Sequence, residues 1–397
     1  MQTAFRGRRF PYFIGIFVKI YPFMAGIYIH IPFCKQKCNY CNFHFSTNLK
    51  YKSDCINAIA KEITLRKNFL EHQTIETLYF GGGTPSILEP QDFDIIMHAL
   101  RSTFNEQLQL KEFTIEANPD DITPNLLTYF KSIGVNRFSI GIQSFKASDL
   151  SYMHRAHQIE QSHQAIASCQ IASFDNLSID LIYGTPELTN EEWRTNIRTA
   201  IQYNIPHISA YALTVEEKTT LAHQIKTGQS LPVNELQAAE QFDILIKELT
   251  AAGYHHYEIS NFALPGKYAL HNTNYWRGQH YLGIGPSAHS YNGIGRQWNI
   301  ANNQLYINSL ANNTLPLEEE LLSSEDKYNE YIMTSLRTMW GISWAYITQN
   351  FGSQKEQLRH NIQSHINKAH IKEDNEHYIL TAAGKQFADA IASDLFI

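Results

Sequence analysis

Gly26-Ile27-Tyr28-Ile29-His30-Ile31-Pro32-Phe33-Cys34-Lys35-Gln36-Lys37-Cys38-Asn39-Tyr40-Cys41 is the stretch on which the reading of this chain turns. A β-branched run with the pattern of a first strand leads straight into three cysteines spaced Cys-x3-Cys-x2-Cys. Soft thiolates at this spacing can wrap one iron–sulfur cluster from a single loop, each reaching a different iron. Three ligands for four irons leave one iron open. An open iron can chelate the amino and carboxylate groups of S-adenosylmethionine and position its sulfonium for one-electron cleavage. The competing reading is a Cys3His zinc site that uses His44, three residues beyond Cys41. Zinc sites usually pair two short Cys/His clusters, whereas this triplet is followed by a long β/α pattern.

That pattern runs outward from the loop. Short β-branched or aromatic runs at Ile27–Ile31, Thr77–Phe80, Glu112–Glu116, Arg137–Ile140, Leu177–Leu181 and His207–Tyr211 alternate with helical periodicity. The helical stretches lie near Tyr51–Phe69, Pro90–Thr103, Thr123–Ile133, Ile159–Ser173 and Asn190–Tyr203. The expected fold class is α/β, a partial (β/α)6 barrel over residues 26–230, with the cysteine loop at its C-terminal mouth, where such folds place active sites. Residues 231–315 are expected to form an extension over the barrel, with a helix at Asn234–Ala252 and irregular structure through Asn272–Asn303. Helices at Ser323–Met339, Trp344–Phe351 and Gln354–Ala369, a strand at His377–Leu380 and a last helix from Ala382 predict a winged-helix-like module over 316–397.

Composition narrows the use of this fold. The 397 residues are 43% hydrophobic and 18% charged, which at roughly 100–200 residues per domain fits a large barrel with an appendage. Lys and Arg total 32 against 38 Asp and Glu, a net charge of -6, so no basic excess points to nucleic acid. Five cysteines, odd in number and unevenly placed, do not form a secreted disulfide framework, and the chain reads as cytoplasmic. Residues 1–25 combine Arg6, Arg8 and Arg9 with an apolar stretch from Phe10 to Phe23 that Lys19 interrupts. This segment is expected to be an extension outside the fold, with Met24 as the start of the native chain. No window offers the roughly 18 uninterrupted apolar residues of a membrane span.

The triplet together with Tyr28-Ile29-His30-Ile31-Pro32-Phe33-Cys34 resembles the radical S-adenosylmethionine proteins. The branch resembled is that of the oxygen-independent coproporphyrinogen III oxidases and their relatives, the HemW heme chaperones, and the likeness runs from about Gly26 to the C-terminus. It implies a [4Fe-4S] cluster held by Cys34, Cys38 and Cys41. Gly81-Gly82-Gly83-Thr84-Pro85 follows the second strand, and glycines there let the backbone approach a ligand. The resemblance further implies that Tyr28, Tyr40, Gly82, Gly83, Thr84, Glu116, Gln143, Arg155 and Asp180 contact S-adenosylmethionine. A carboxylate can hold ribose hydroxyls and an arginine fork matches a methionyl carboxylate.

Two departures separate chaperone from oxidase. The oxidases carry a fourth cysteine two residues after the triplet, where this chain has Phe43, and they carry an N-terminal arm that a chain starting near Met24 lacks. His271-Asn272-Thr273-Asn274-Tyr275-Trp276 resembles a His-Asn-x-x-Tyr-Trp string of the chaperones and marks His271 as a heme contact, with His289 as a rival. The reading is a chaperone that binds heme and passes it to an unidentified acceptor protein, without coproporphyrinogen III oxidase activity. The alternative is that oxidase. Monomer and homodimer both stay open.

Overall fold

The computed structural model describes residues 24–397. The expected extension over 1–25 lies outside the described residues except for Met24 and Ala25. Those two belong to the first strand, and Ala25 is fully buried, so the described strand reaches two residues ahead of the expected start at Gly26.

Six parallel strands form the centre: β1 (Met24–Ile31), β2 (Thr74–Gly82), β3 (Leu108–Ala117), β4 (Arg137–Gln143), β5 (Leu177–Tyr183) and β6 (His207–Ala212). Helices Lys52–Leu65, Pro90–Phe104, Pro124–Ile133, Ile159–Ile171 and Asn190–Gln202 carry the crossovers. The strands are covered on both faces; all seven residues of β4 are buried, as the near-continuous apolar runs require. Local signals set the helix ends. Thr189 caps its helix with a reciprocal capping box to Glu192, and Gly134 closes another with φ 98°.

The segment expected to be irregular is instead part of the same sheet. β8 (Asn261–Ala263) adds antiparallel to β6, and β7 (His255–Glu258) pairs antiparallel with β8 at the sheet edge. β9 (His280–Ile284) lies parallel to β1, followed outward by β10 (His289–Tyr291), β11 (Gly295–Asn299) and β12 (Leu317–Leu321). The twelve strands run β12-β11-β10-β9-β1-β2-β3-β4-β5-β6-β8-β7. Strands of three to five residues containing Gly283 and Gly295 show too little period-two pattern to be read alone; their pairing partners supply the order. The helix Leu270–Trp276 also lies within this segment.

One buried carboxylate fastens this extension to the core. Glu62, on the helix Lys52–Leu65, is fully buried and accepts from Tyr306 Oη (2.5 Å), Asn299 Nδ2 (2.8 Å), the Gly285 amide (2.9 Å) and Arg66 Nη1 (3.3 Å). Arg66, itself buried, also donates to Gly283 O and Gln297 Oε1.

The C-terminal module has its own core around Tyr328, Ile332, Leu336, Ile342, Ile347, Leu358 and Ile391. Five helices, Ser324–Leu336, Trp344–Asn350, Lys355–Asn367, Ala382–Lys385 and Ala388–Asp394, and the sheet β13 (Ile342–Ser343), β14 (Ile371–Asp374) and β15 (His377–Leu380) make it the mostly helical module expected. Arg337 lies over the Trp276 ring at 5.6 Å, and Arg277 lies over Trp340 at 4.3 Å, so two reciprocal cation–π contacts join the module to the sheet.

Candidate functional site

The cysteine loop is pinned at both limbs. The Cys34 amide donates to Ser46 O and the Ser46 amide to Pro32 O, while Asn39 Nδ2 donates to Tyr152 O at 2.6 Å. His30 holds the loop from below. Its Nε2 donates to His44 O at 2.9 Å, which leaves Nδ1 to accept from Tyr28 Oη at 3.1 Å. Burial, the largest influence, lowers the His30 pKa to about 4, so the ring stays neutral in this role.

Glycines let the second strand pack against that loop. The Gly83 amide donates to Ile31 O and the Thr84 amide to Phe33 O. A Cβ on Gly83 would meet Phe33 O at 2.5 Å and Ile31 O at 2.8 Å, and one on Gly82, whose φ is 105°, would meet the His30 ring at 2.5 Å.

The C-terminal ends of β1–β6 surround a cavity of about 670 Å³, within the range of small-molecule sites. Cys34, Cys38 and Cys41 line it as free thiols. Thr84 Oγ1 donates to Cys34 Sγ at 3.5 Å, and Arg155 Nη1 donates to Cys38 Sγ at 3.3 Å. Burial pushes the Cys34 thiol up to about 11 and raises Cys41 as well, so metal loading there would release protons. The donor set fits a cluster: three soft ligands on one loop, facing a cavity, with hydrogen-bond donors aimed at two sulfurs. The zinc alternative does not fit. His44, the fourth ligand such a site would need, is turned to Asn303 Oδ1 (2.7 Å).

Tyr40, Gly82, Gly83, Thr84, Glu116, Gln143, Arg155 and Asp180 line the same cavity. Arg155 Nη2 donates to Asn118 Oδ1 (2.7 Å) and Gly141 O (2.9 Å), holding the guanidinium at the cavity wall. Gln143 has φ 65°, in the left-handed region, where the β4–β5 register shifts, and that bulge aims its side chain into the cavity. Glu116 accepts from Tyr79 Oη (2.7 Å) and the Gly82 amide (3.1 Å); burial pushes its pKa up to about 7 and that of Asp180 to about 6. Tyr28 sits below the cavity wall, bonded to His30. Asn118, Ser139 and Tyr211 also line the cavity; Asn118 and Ser139 fall in the same strings as Glu116 and Gln143 but are not singled out by them, and Ser139, two residues before Gly141 on β4, follows from strand alternation.

His271 is placed elsewhere. It is 2% exposed, with Nδ1 hydrogen-bonded to Thr77 Oγ1 (2.8 Å) and Nε2 to Tyr275 Oη (2.9 Å), and its ring stacks on Tyr79 at 5.0 Å. The helix Leu270–Trp276 is anchored by Glu112, which accepts from the Leu270 and His271 amides, and Glu112 lies 3.8 Å from the buried Arg137. His271, expected as a heme contact, therefore lies at the barrel floor with both ring nitrogens engaged. The reason is the short helix, which turns His271 inward and Trp276 toward the C-terminal module.

Comparison with known proteins follows this geometry. Residues 28–200 match the Radical SAM superfamily model, and residues 322–387 match the HemN C-terminal domain. The chain is 32% identical over 338 residues to the heme chaperone HemW of Bacillus subtilis, covering 84% of this chain and 89% of that protein. It is 30% identical over 375 residues to the heme chaperone HemW of Mycobacterium tuberculosis (strain CDC 1551 / Oshkosh), covering 93% and 94%. The solved coproporphyrinogen III oxidase (HemN) from Escherichia coli, a radical SAM enzyme, superposes with a TM-score of 0.81 at 22% identity over 94% of this chain and 90% of that one, a likeness of fold.

Proposed function

The chain belongs to the HemW family of radical S-adenosylmethionine proteins, and from that premise we propose that it binds heme and passes it to an acceptor protein. The observation that carries this reading is the loop itself. It ends Cys38-Asn39-Tyr40-Cys41-Asn42-Phe43, with Phe43 lining the cavity at 74% exposure where the oxidases have a fourth cysteine.

Membership of the family implies a [4Fe-4S] cluster and S-adenosylmethionine. Cys34, Cys38 and Cys41 would hold the cluster, which when bound supplies a single electron to S-adenosylmethionine. Gly82, Gly83 and Thr84 give the ligand a backbone wall, Glu116 and Asp180 accept hydroxyl or ammonium hydrogens, and the Arg155 guanidinium faces a carboxylate. Tyr40 and Gln143 close the sides. Among the described residues no helix is long and apolar enough to cross a membrane.

The test is anaerobic. Reconstituted protein given dithionite, S-adenosylmethionine and coproporphyrinogen III is expected to form no protoporphyrinogen, to bind hemin stoichiometrically, and to surrender it to an apo-hemoprotein. Turnover of coproporphyrinogen III would replace this reading with the oxidase.

A further inference from the structure

Asn118 is not one of the residues that the family resemblance marks, yet three segments of the cavity wall meet on it. It follows β3 directly, and its backbone is fixed from both directions. Pro119 restricts the residue before it to extended geometry, and Asn118 has φ -85° and ψ 148°. Its amide donates to Ser86 Oγ (3.2 Å), which in turn donates to Asp121 Oδ2 (2.6 Å), and Asp121 pairs with Lys35 of the cysteine loop. The side chain is therefore carried on a braced stem, half-buried at the cavity wall.

The neighbours decide which way the amide faces. Arg155 has donors only, so the atom 2.7 Å from its Nη2 must be the carbonyl oxygen Oδ1, and Nδ2 then points to Thr84 Oγ1 at 3.4 Å. Thr84 accepts that hydrogen through a lone pair and keeps its own to donate to Cys34 Sγ (3.5 Å). Arg155, anchored through Nη2, places Nη1 3.3 Å from Cys38 Sγ. One amide thus directs two branches that end on different sulfurs. Cys41, the third, takes its hydrogen bond from the backbone of Phe43 and lies outside this arrangement. Without Asn118, the Arg155 Nη2 would keep only Gly141 O (2.9 Å), and the Thr84 hydroxyl would be free to turn.

We propose that Asn118 is a positioning residue that raises the reduction potential of the cluster, by holding the Thr84 hydroxyl on Cys34 and the Arg155 guanidinium on Cys38. This rests on the cluster reading above. Donors aimed at a ligating sulfur stabilise the negative charge that a cluster gains on reduction, and hydrogen bonds to the sulfurs are among the features that set cluster potentials. Both bonds strengthen when the thiol becomes a thiolate, because a hydrogen bond to an ionised acceptor is about twice as strong as a neutral one. Asparagine suits the position because its amide accepts on one side and donates on the other.

A redox titration of the anaerobically reconstituted full chain, followed by electron paramagnetic resonance, tests the assignment, with iron and sulfide content confirming a complete cluster in each variant. Asn118→Ala, which frees both branches, should make reduction about tenfold less favourable, a fall of about 59 mV for a one-electron couple. Ser86→Ala cuts the brace beneath Asn118 but neither branch to sulfur, and should keep the wild-type potential. A change of less than twofold in Asn118→Ala, or an equal fall in Ser86→Ala, would overturn the assignment. Should Asn118→Ala assemble no cluster, Thr84→Val decides. It cuts the Cys34 branch alone, and its reduction should still be at least twofold less favourable; a smaller change, or no cluster there either, would make Asn118 a builder of the loop and overturn the proposal. A wild type that assembles no cluster would instead remove the cluster reading itself.

Discussion

Replacing Glu62 by Ala should destabilise the protein more than any other single change in the extension. The side chain is fully buried and four donors converge on it. Its removal strands the Gly285 amide and the Tyr306 hydroxyl in the core, and leaves the buried Arg66 with only Gly283 O and Gln297 Oε1. Breaking one partner of a buried ion pair costs about 3–5 kcal/mol, most of it the uncompensated charge and the unpaired donors. With a urea dependence of about 3 kcal/mol per molar for a chain of this size, the unfolding midpoint should fall by about 1–1.7 M, read by far-ultraviolet dichroism. The effect should reach the site. A Cβ on Gly285 would meet His30 O at 2.4 Å, so the Gly285 turn lies directly under the residue that steadies the cysteine loop, and cluster loading of Glu62→Ala should drop with its stability. Tyr306→Phe, which removes one of the four donors, should cost about 1 kcal/mol. A midpoint change in Glu62→Ala no larger than that of Tyr306→Phe would refute the reasoning.

Cys34→Ala, Cys38→Ala and Cys41→Ala should each abolish the broad visible absorption of the anaerobically reconstituted cluster, whereas Cys55→Ala and Cys169→Ala, both in the hydrophobic core, should keep it. S-adenosylmethionine affinity should rise as pH climbs from about 5.5 to 7.5. Glu116 and Asp180, raised to about 7 and about 6, must lose their protons to hold a cationic ligand, and calorimetry in buffers of different ionisation enthalpy should register proton release that shrinks in Glu116→Gln. The same raised carboxyls make the ligand-free fold less stable as pH rises from their unfolded values near 4 to about 7; a flat stability profile there would contradict their burial. Gly83→Ala should prevent cluster assembly without unfolding the chain, because its Cβ must displace the Phe33 and Ile31 carbonyls by about 1 Å to reach ordinary contact; normal reconstitution would show that the loop can give way.

The six central strands were legible because parallel strands covered on both faces read as unbroken apolar runs. Ile27, Ile29 and Ile31 on β1, and Phe138, Ile140 and Ile142 on β4, are all buried. Much of the cavity was legible for the same reason. Once strand ends are located, Gly82, Glu116 and Asp180 fall beside one another at the mouth. What stayed hidden depended on contacts distant in sequence. β9 is five residues long and finds its order by pairing with β1 across the chain, so no local pattern marks it. The orientation of His271 was hidden too. Its motif gives residue types at a spacing, but which face of the helix Leu270–Trp276 points inward is decided by Glu112 capping its start. Tyr211 could be read only as a strand residue, although its alternation with Ser209 puts it on the inner face.

The position of β1 between β2 and β9 bears on how the protein is made. One edge of β1 is satisfied by Thr74–Gly82, soon after it leaves the ribosome, but the other waits for His280–Ile284. Translation at about 5–20 residues per second puts roughly 10–40 s between the two events. Through that interval the nascent chain carries its cysteines beside an unpaired strand, and the Gly285 turn that supports His30 has not yet been synthesised. The cofactor loop is therefore translated well before its full support, and a chain that stalls before residue 280 presents β1 as a bare template for joining another copy.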